Sequence, residues 1–148
     1  MSELNQPSGS ETILVVDDDA AVLSVTGALL ARSGYDILQA NSGAQALEIC
    51  EKRPSSIHLL LTDVTMPNME GPELAERVLL LCPQIRVLYM SGFGECHIEQ
   101  HSFPVGFFLR KPFTPDVLAR IVREALDAPR KKDPGRQPAG SDVRKALG

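Results

Sequence analysis

The sequence predicts an α/β fold: five parallel strands in one sheet, with helices on both faces. Two observations carry this. Short β-rich runs and helical patterns alternate five times along the chain. The third strand run, IHLLLTD at 57–63, is apolar with little interruption. Such a run suits a parallel sheet covered on both sides better than a sheet with one face in water.

Each element has its own signal. TILVVD at 12–17 is a short β-rich run. In AAVLSVTGALLARSG, at 20–34, Val22, Val25, Leu29 and Leu30 stand near helical spacing, and Gly34 is a stop. YDILQA is the second strand. Ser42 and Gln45 then open a helix with a capping-box pattern, and Ala46, Leu47, Ile49 and Cys50 are its apolar positions. After the third strand, GPELAERVLLLC places Pro72 in the first turn of a helix. IRVLYMS at 85–91 is the fourth strand, and ECHIEQ at 95–100 is at best a short helix. VGFFLR at 105–110 is the fifth strand. Thr114, Pro115 and Asp116 begin the last helix with a hydroxyl cap, a proline and an acid in the first turn; it should run to about Leu126.

The 148 residues suffice for one domain with a sizeable core. Residues 1–11 read as a disordered lead-in, 12–128 as the folded domain and 129–148 as a basic, Pro/Gly-rich disordered tail. That tail carries six Lys/Arg against two Asp/Glu, which leaves the rest of a chain of net charge −4 at −8. An acidic body argues against nucleic-acid binding. No apolar run approaches membrane-spanning length, and the N-terminus has no signal-peptide pattern. Cys50, Cys82 and Cys96 have no paired spacing, so free thiols and a cytoplasmic location are expected.

In open α/β sheets the functional site lies beyond the carboxyl ends of the strands. Strand one ends in Asp17, Asp18 and Asp19, strand three in Asp63, strand four in Ser91 and Gly92, and strand five in Arg110 and Lys111. Carboxylates gathered so closely repel one another. A hard divalent cation relieves this, and an oxygen-only ligand set suits Mg²⁺, or Mn²⁺ in its place. A carboxylate nucleophile, a metal, a hydroxyl and an ammonium are the parts needed to accept a phosphoryl group. Asp63 is the reactive group on this reading. The loop VTMPNMEG after it turns the chain away, and Gly92 leaves room beside Ser91. Asp19 reads mainly as a helix cap. His58 reads as a packed or surface-edge histidine. His97 and His101 stand at i, i+4 but lack a third ligand.

Four motifs, ILVVDDD, LLLTDVTMPNMEG, VLYMSG and FFLRKPF, stand in order over about residues 12–128. With them the chain resembles the receiver domain of two-component response regulators, of the bacterial chemotaxis-regulator kind. The resemblance implies a flavodoxin-like (βα)5 fold with strand order 2-1-3-4-5. It implies Asp63 as the phosphoacceptor, Asp18 as a direct Mg²⁺ ligand, Asp17 acting largely through water, and the Thr65 backbone carbonyl as a further ligand. Ser91 is similar to the hydroxyl switch, Lys111 to the lysine that pairs with the phosphoryl group, and Phe108 to the aromatic switch. The Lys111–Pro112 bond is often cis in the family. Thr65 and Phe93 occupy the positions that tune dephosphorylation. The segment after Ser91 is shorter than the family pattern, so the helix there should be short or irregular.

The implied partner is a sensor histidine kinase or a histidine phosphotransfer protein. No motif specifies an output partner or an oligomeric state. The wording YMSGFGE is similar to receivers attached to hybrid sensor kinases, so the chain reads as a stand-alone regulator or a fragment of such a kinase. The resemblance implies a regulatory domain, not an enzyme acting on other substrates. The alternatives are a docking-only pseudo-receiver and a haloacid-dehalogenase-type phosphohydrolase. The latter would use Asp17 as nucleophile and Asp19 as acid/base, and would leave Asp63 idle.

Overall fold

The structure is a computed structural model, and it describes residues 9–92 and 106–128. The expectations for the lead-in up to residue 8, the segment 93–105 (Phe93, Cys96, His97 and His101 included) and the tail lie outside the described residues.

Among the described residues nine elements follow one another: β1 (Thr12–Val16), α1 (Ala20–Arg32), β2 (Asp36–Ala40), α2 (Gly43–Lys52), β3 (Leu59–Asp63), α3 (Gly71–Leu81), β4 (Arg86–Ser91), β5 (Phe107–Arg110) and α4 (Pro115–Asp127). The five strands form one parallel sheet in the order β2-β1-β3-β4-β5, as expected. The chain steps from β1 outward to β2, then returns to place β3 on the other side of β1. The direction of winding therefore reverses between β1 and β3, and a crevice at that point is where such sheets bind ligands.

Both faces of the sheet are covered. Leu60, Leu74, Ala75, Val78, Tyr89 and Phe108 belong to the core under α2 and α3. Ile13, Leu59, Leu61, Leu88, Leu118 and Val122 belong to the one under α1 and α4. Leu59, Leu60 and Leu61 point alternately to the two cores, which explains the continuous apolar run of β3. Their burial is complete.

The local start signals act largely as read. The Asp19 carboxylate accepts the Ala21 and Val22 N–H groups at 2.9 and 3.3 Å, capping α1. Ser42 Oγ accepts from Gln45 N at 3.1 Å. Gln45 reaches back to Asn41 N, 2.7 Å away, one residue earlier than a capping box requires. Thr114 Oγ1 caps α4 through Val117 N. The face of α1 differs from the expectation. Leu23, Thr26, Gly27 and Leu30 are buried, whereas Val25 is 57% exposed. Leu23, Thr26/Gly27 and Leu30 form an i, i+3/i+4, i+7 row, and its two small residues made it invisible to a count of apolar side chains.

Glu11, just before β1, is tied to α4. The Glu11 carboxylate accepts from Arg123 at 2.7 and 3.3 Å, and the same guanidinium reaches Asp127 and the Tyr35 hydroxyl. His58 is exposed, and its Nδ1 accepts from Thr12 N at 3.0 Å. It lies at the amino end of the sheet, opposite the carboxylates, as an edge histidine. Cys50 and Cys82 are buried free thiols whose side chains meet between α2 and α3. Burial pushes the Cys50 thiol up to about 12, so it is no nucleophile at neutral pH.

Candidate functional site at the carboxyl ends of β1, β3 and β5

Asp17 follows β1 and is fully buried. Its Oδ1 accepts from Asp19 N at 2.9 Å, so the backbone of its own turn holds one carboxylate oxygen. Asp63 is the last residue of β3, paired in register with Met90. Asp17, Asp18 and Asp63 each offer one carboxylate oxygen, and the three atoms lie within 4.8 Å of one another. Lys111 follows β5. Its Nζ lies 3.1 Å from Asp17 Oδ2 and 3.3 Å from Asp63 Oδ1. The lysine that alone would read as a surface residue thus bridges two carboxylates.

Electrostatics follow from this crowding. Burial, with repulsion from Asp17 and Asp18, pushes the Asp63 carboxyl up to about 6, against the opposing pull of Lys111. Burial pulls the Lys111 ammonium down, but Asp63 and Asp17 outweigh it and hold the group above the usual lysine value. Three carboxylates against one ammonium leave an excess of negative charge on a cluster that runs from buried Asp17 through half-buried Asp63 to exposed Asp18. Their donors are oxygens alone, with no His or Cys in the cluster. That donor set fits a hard divalent cation such as Mg²⁺.

The loop after Asp63 folds back tightly on the strand end. Val64 N donates to Met90 O at 2.9 Å, and Gly71 N donates to Val64 O at 2.7 Å. Met69 N donates to Pro67 O across Asn68, whose φ of 72° is a conformation asparagine tolerates better than most residues. The strand end therefore stays open toward Lys111 and Asp17, which is why a nearly continuous apolar strand ends in an acid.

Thr65 is exposed at the start of this loop. Ser91 ends β4, one residue past the position paired with Asp63, and is buried. Its carbonyl accepts from Lys111 N at 2.7 Å, which ties the hydroxyl-bearing strand end to the lysine-bearing one. The Lys111–Pro112 peptide is cis. Phe108 is not at the strand end. It lies three residues before Lys111, buried, with its ring stacked on Tyr89 at a centroid separation of 5.1 Å and an interplanar angle of 29°. Tyr89 is the cross-strand partner of Phe108 and stands two residues before Ser91. Its own motif gives it no site signal, although two aromatics at matching distances from the ends of adjacent strands are a readable one. Thr62 and Gly71 carry no site signal in the sequence either, and both approach the backbone of Asp63.

Comparison with known proteins agrees with this geometry. A family profile described as the response regulator receiver domain matches residues 13–123. The chain is 36% identical over 123 residues to the sensor kinase CckA of Brucella abortus, covering 81% of this chain but 13% of that protein's length. It is 34% identical over 120 residues to sporulation initiation phosphotransferase F of Bacillus subtilis, covering 79% of this chain and 94% of that protein. Among solved structures, the receiver domain of the hybrid histidine kinase CckA superposes with a TM-score of 0.68 at 34% identity. That match covers 78% of this chain and 99% of that domain. A response regulator receiver protein from Sinorhizobium medicae gives 0.72 at 28% identity, over 80% and 96% of the two chains.

Proposed function

The chain belongs to the response regulator receiver domain family of two-component systems, and from that premise we propose that Asp63 is the carboxylate that takes the phosphoryl group. The family acts as a regulatory phosphoacceptor switch, and its members interact with histidine kinases or phosphotransfer proteins. The observation that carries the proposal is the convergence of Asp17, Asp18, Asp63 and Lys111 at the winding reversal between β1 and β3.

Asp63 is mostly ionised at neutral pH even with its carboxyl raised to about 6. One Asp63 oxygen attacks the phosphorus of a donor phosphohistidine in line. The new O–P bond forms as the P–N bond breaks, and the departing imidazole nitrogen keeps the electron pair. The Lys111 ammonium neutralises a phosphoryl oxygen as it arrives. A Mg²⁺ or Mn²⁺ held by Asp17, Asp18, Asp63 and the Thr65 carbonyl would supply the remaining charge neutralisation. By the family resemblance Asp17 would act on it largely through water. The Ser91 hydroxyl then turns to the phosphoryl group, and Phe108 moves with it, shifting a two-state equilibrium read by an output partner. On this reading the domain catalyses only its own phosphorylation and dephosphorylation. A cytoplasmic location suits its free thiols and its kinase donor. The likeness to the CckA receiver also supports a role as the receiver portion of a hybrid kinase.

The test is transfer from a phosphorylated histidine phosphotransfer protein. Labelled phosphate should pass to the wild-type chain as a hydroxylamine-sensitive acyl phosphate and should not pass to Asp63→Asn. A phosphohydrolase of the haloacid-dehalogenase type would instead need the Asp19 carboxylate for proton transfer, but that group caps α1. Asp19→Ala is therefore expected to cost about 1 kcal/mol of stability, read by denaturant titration. Phosphoryl uptake should stay within about twofold, since the cap makes no contact with the reacting atoms. Phosphate-ester turnover that survives Asp63→Asn and dies in Asp17→Asn would favour the hydrolase.

A further inference from the structure

One buried polar residue beside the site has no part in the chemistry above. Thr62 is fully buried in β3, between Val16 and Tyr89 on the neighbouring strands. A valine would fill that place with no hydroxyl to desolvate. The Thr62 hydroxyl donates to the backbone carbonyl of Asp63 at 3.0 Å. The same carbonyl is crowded by Gly71, the first residue of α3. A Cβ on Gly71 would lie 2.3 Å from Asp63 O, 3.2 Å from Asp63 C and 3.1 Å from Val64 Cα. The φ of Gly71 is not in the left-handed region, so closeness is what requires glycine here. The carbonyl of Asp63 is thus held by a hydroxyl and touched by a helix start.

A carbonyl held in this way fixes ψ of Asp63 itself, and with it the direction in which the Asp63 Cα–Cβ bond leaves the strand; only staggered rotamers remain from there. We infer that Thr62 and Gly71 are positioning residues for Asp63: they hold its backbone carbonyl so that its carboxylate stands against Lys111 and beside Asp17. The inference rests on the reading of Asp63 as phosphoacceptor. It adds two residues that never touch the phosphoryl group and act only through the aim of the nucleophile. A reacting atom displaced by a fraction of an ångström loses rate without losing affinity for the donor.

The experiment compares the full-length wild type with Thr62→Val, Thr62→Ser, Thr62→Ala, Gly71→Ala and Asp63→Asn. Each is incubated with acetyl phosphate at saturating Mg²⁺, and uptake is followed by intact mass. Thr62→Val should lower the maximal rate about tenfold with the half-saturating acetyl phosphate concentration unchanged, and Thr62→Ser should restore it to within about threefold. Gly71→Ala should lose more than Thr62→Val. Thr62→Ala supplies a second hydroxyl-free variant should the valine not fold. A rate within about twofold of wild type in a folded hydroxyl-free variant overturns the inference, as does equal loss in Thr62→Ser. Failure of the underlying reading looks different: wild type itself gains no phosphoryl group. The ¹³Cγ resonance of Asp63 then decides alone. Displacement in Thr62→Val with return in Thr62→Ser upholds the positioning role, and an unmoved resonance in Thr62→Val ends it.

Discussion

Asp63→Asn is expected to make the metal-free protein more stable at neutral pH, by about 2–3 kcal/mol. Removing a charged group from a protein usually costs stability or leaves it unchanged. Here burial raises the carboxyl to about 6 in the folded state, and Asp17 and Asp18 add to the rise. The unfolded chain titrates near 4. Between those values the native state holds more protons than the unfolded state, so stability falls as pH rises through the window. Above it the full penalty applies, and the asparagine, which cannot ionise, escapes it. The Asp63 side chain is 13% exposed, so solvent screens little of this. Urea titrations in the presence of a chelator should show the gain at neutral pH and its disappearance below about pH 4. With Mg²⁺ added, the wild type should gain stability by mass action and the mutant much less. A loss of stability in Asp63→Asn at neutral pH without metal would show that the carboxylate is well compensated, contrary to the account.

Lys111→Met should act in the opposite sense and by more. The substitution keeps the aliphatic stem and removes the cation that faces Asp17 and Asp63. Asp17, with a side chain 1% exposed, would be left buried without its counter-charge. The expected loss is about 2–4 kcal/mol at neutral pH. The lysine is held above its usual value, so its contribution is complete below about 10.4 and is lost as pH rises beyond its folded value. The mutant should therefore differ most from wild type at neutral pH and converge with it in strong alkali. Metal should recover much of the loss, since a divalent cation faces the same carboxylates. The mutant should still take a phosphoryl group but lack the phosphorylation-dependent change in amide exchange. A full change in exchange would show that Lys111 has no part in switching.

The sequence made these residues findable because strand ends carry their own punctuation. Asp17, Asp18, Asp63 and Lys111 each follow a β-rich run, and a parallel sheet brings such ends to one edge. Asp19 and Thr114 were legible as caps because capping is a local property of a few residues. What escaped depends on contacts between distant segments. The buried face of α1 is set by where the sheet lies, and its small residues Thr26 and Gly27 carry no apolar signal. Arg123 and Glu11 are separated by almost the whole domain, and only the packing of α4 on the sheet makes them a pair. The stacking of Phe108 on Tyr89 needs the register of β4 with β5. Thr62 was hidden for a simpler reason: a threonine in a strand is ordinary, and only the position of the Asp63 carbonyl gives its hydroxyl a task.

The most direct test of the central claim is the intact mass of the protein after incubation with acetyl phosphate, with and without Mg²⁺, for wild type and Asp63→Asn side by side. The account predicts a gain of one phosphoryl group in the wild type with Mg²⁺, and none without the metal or in the mutant. A gain of the same size in Asp63→Asn, or none in a folded wild type with Mg²⁺ present, would contradict it.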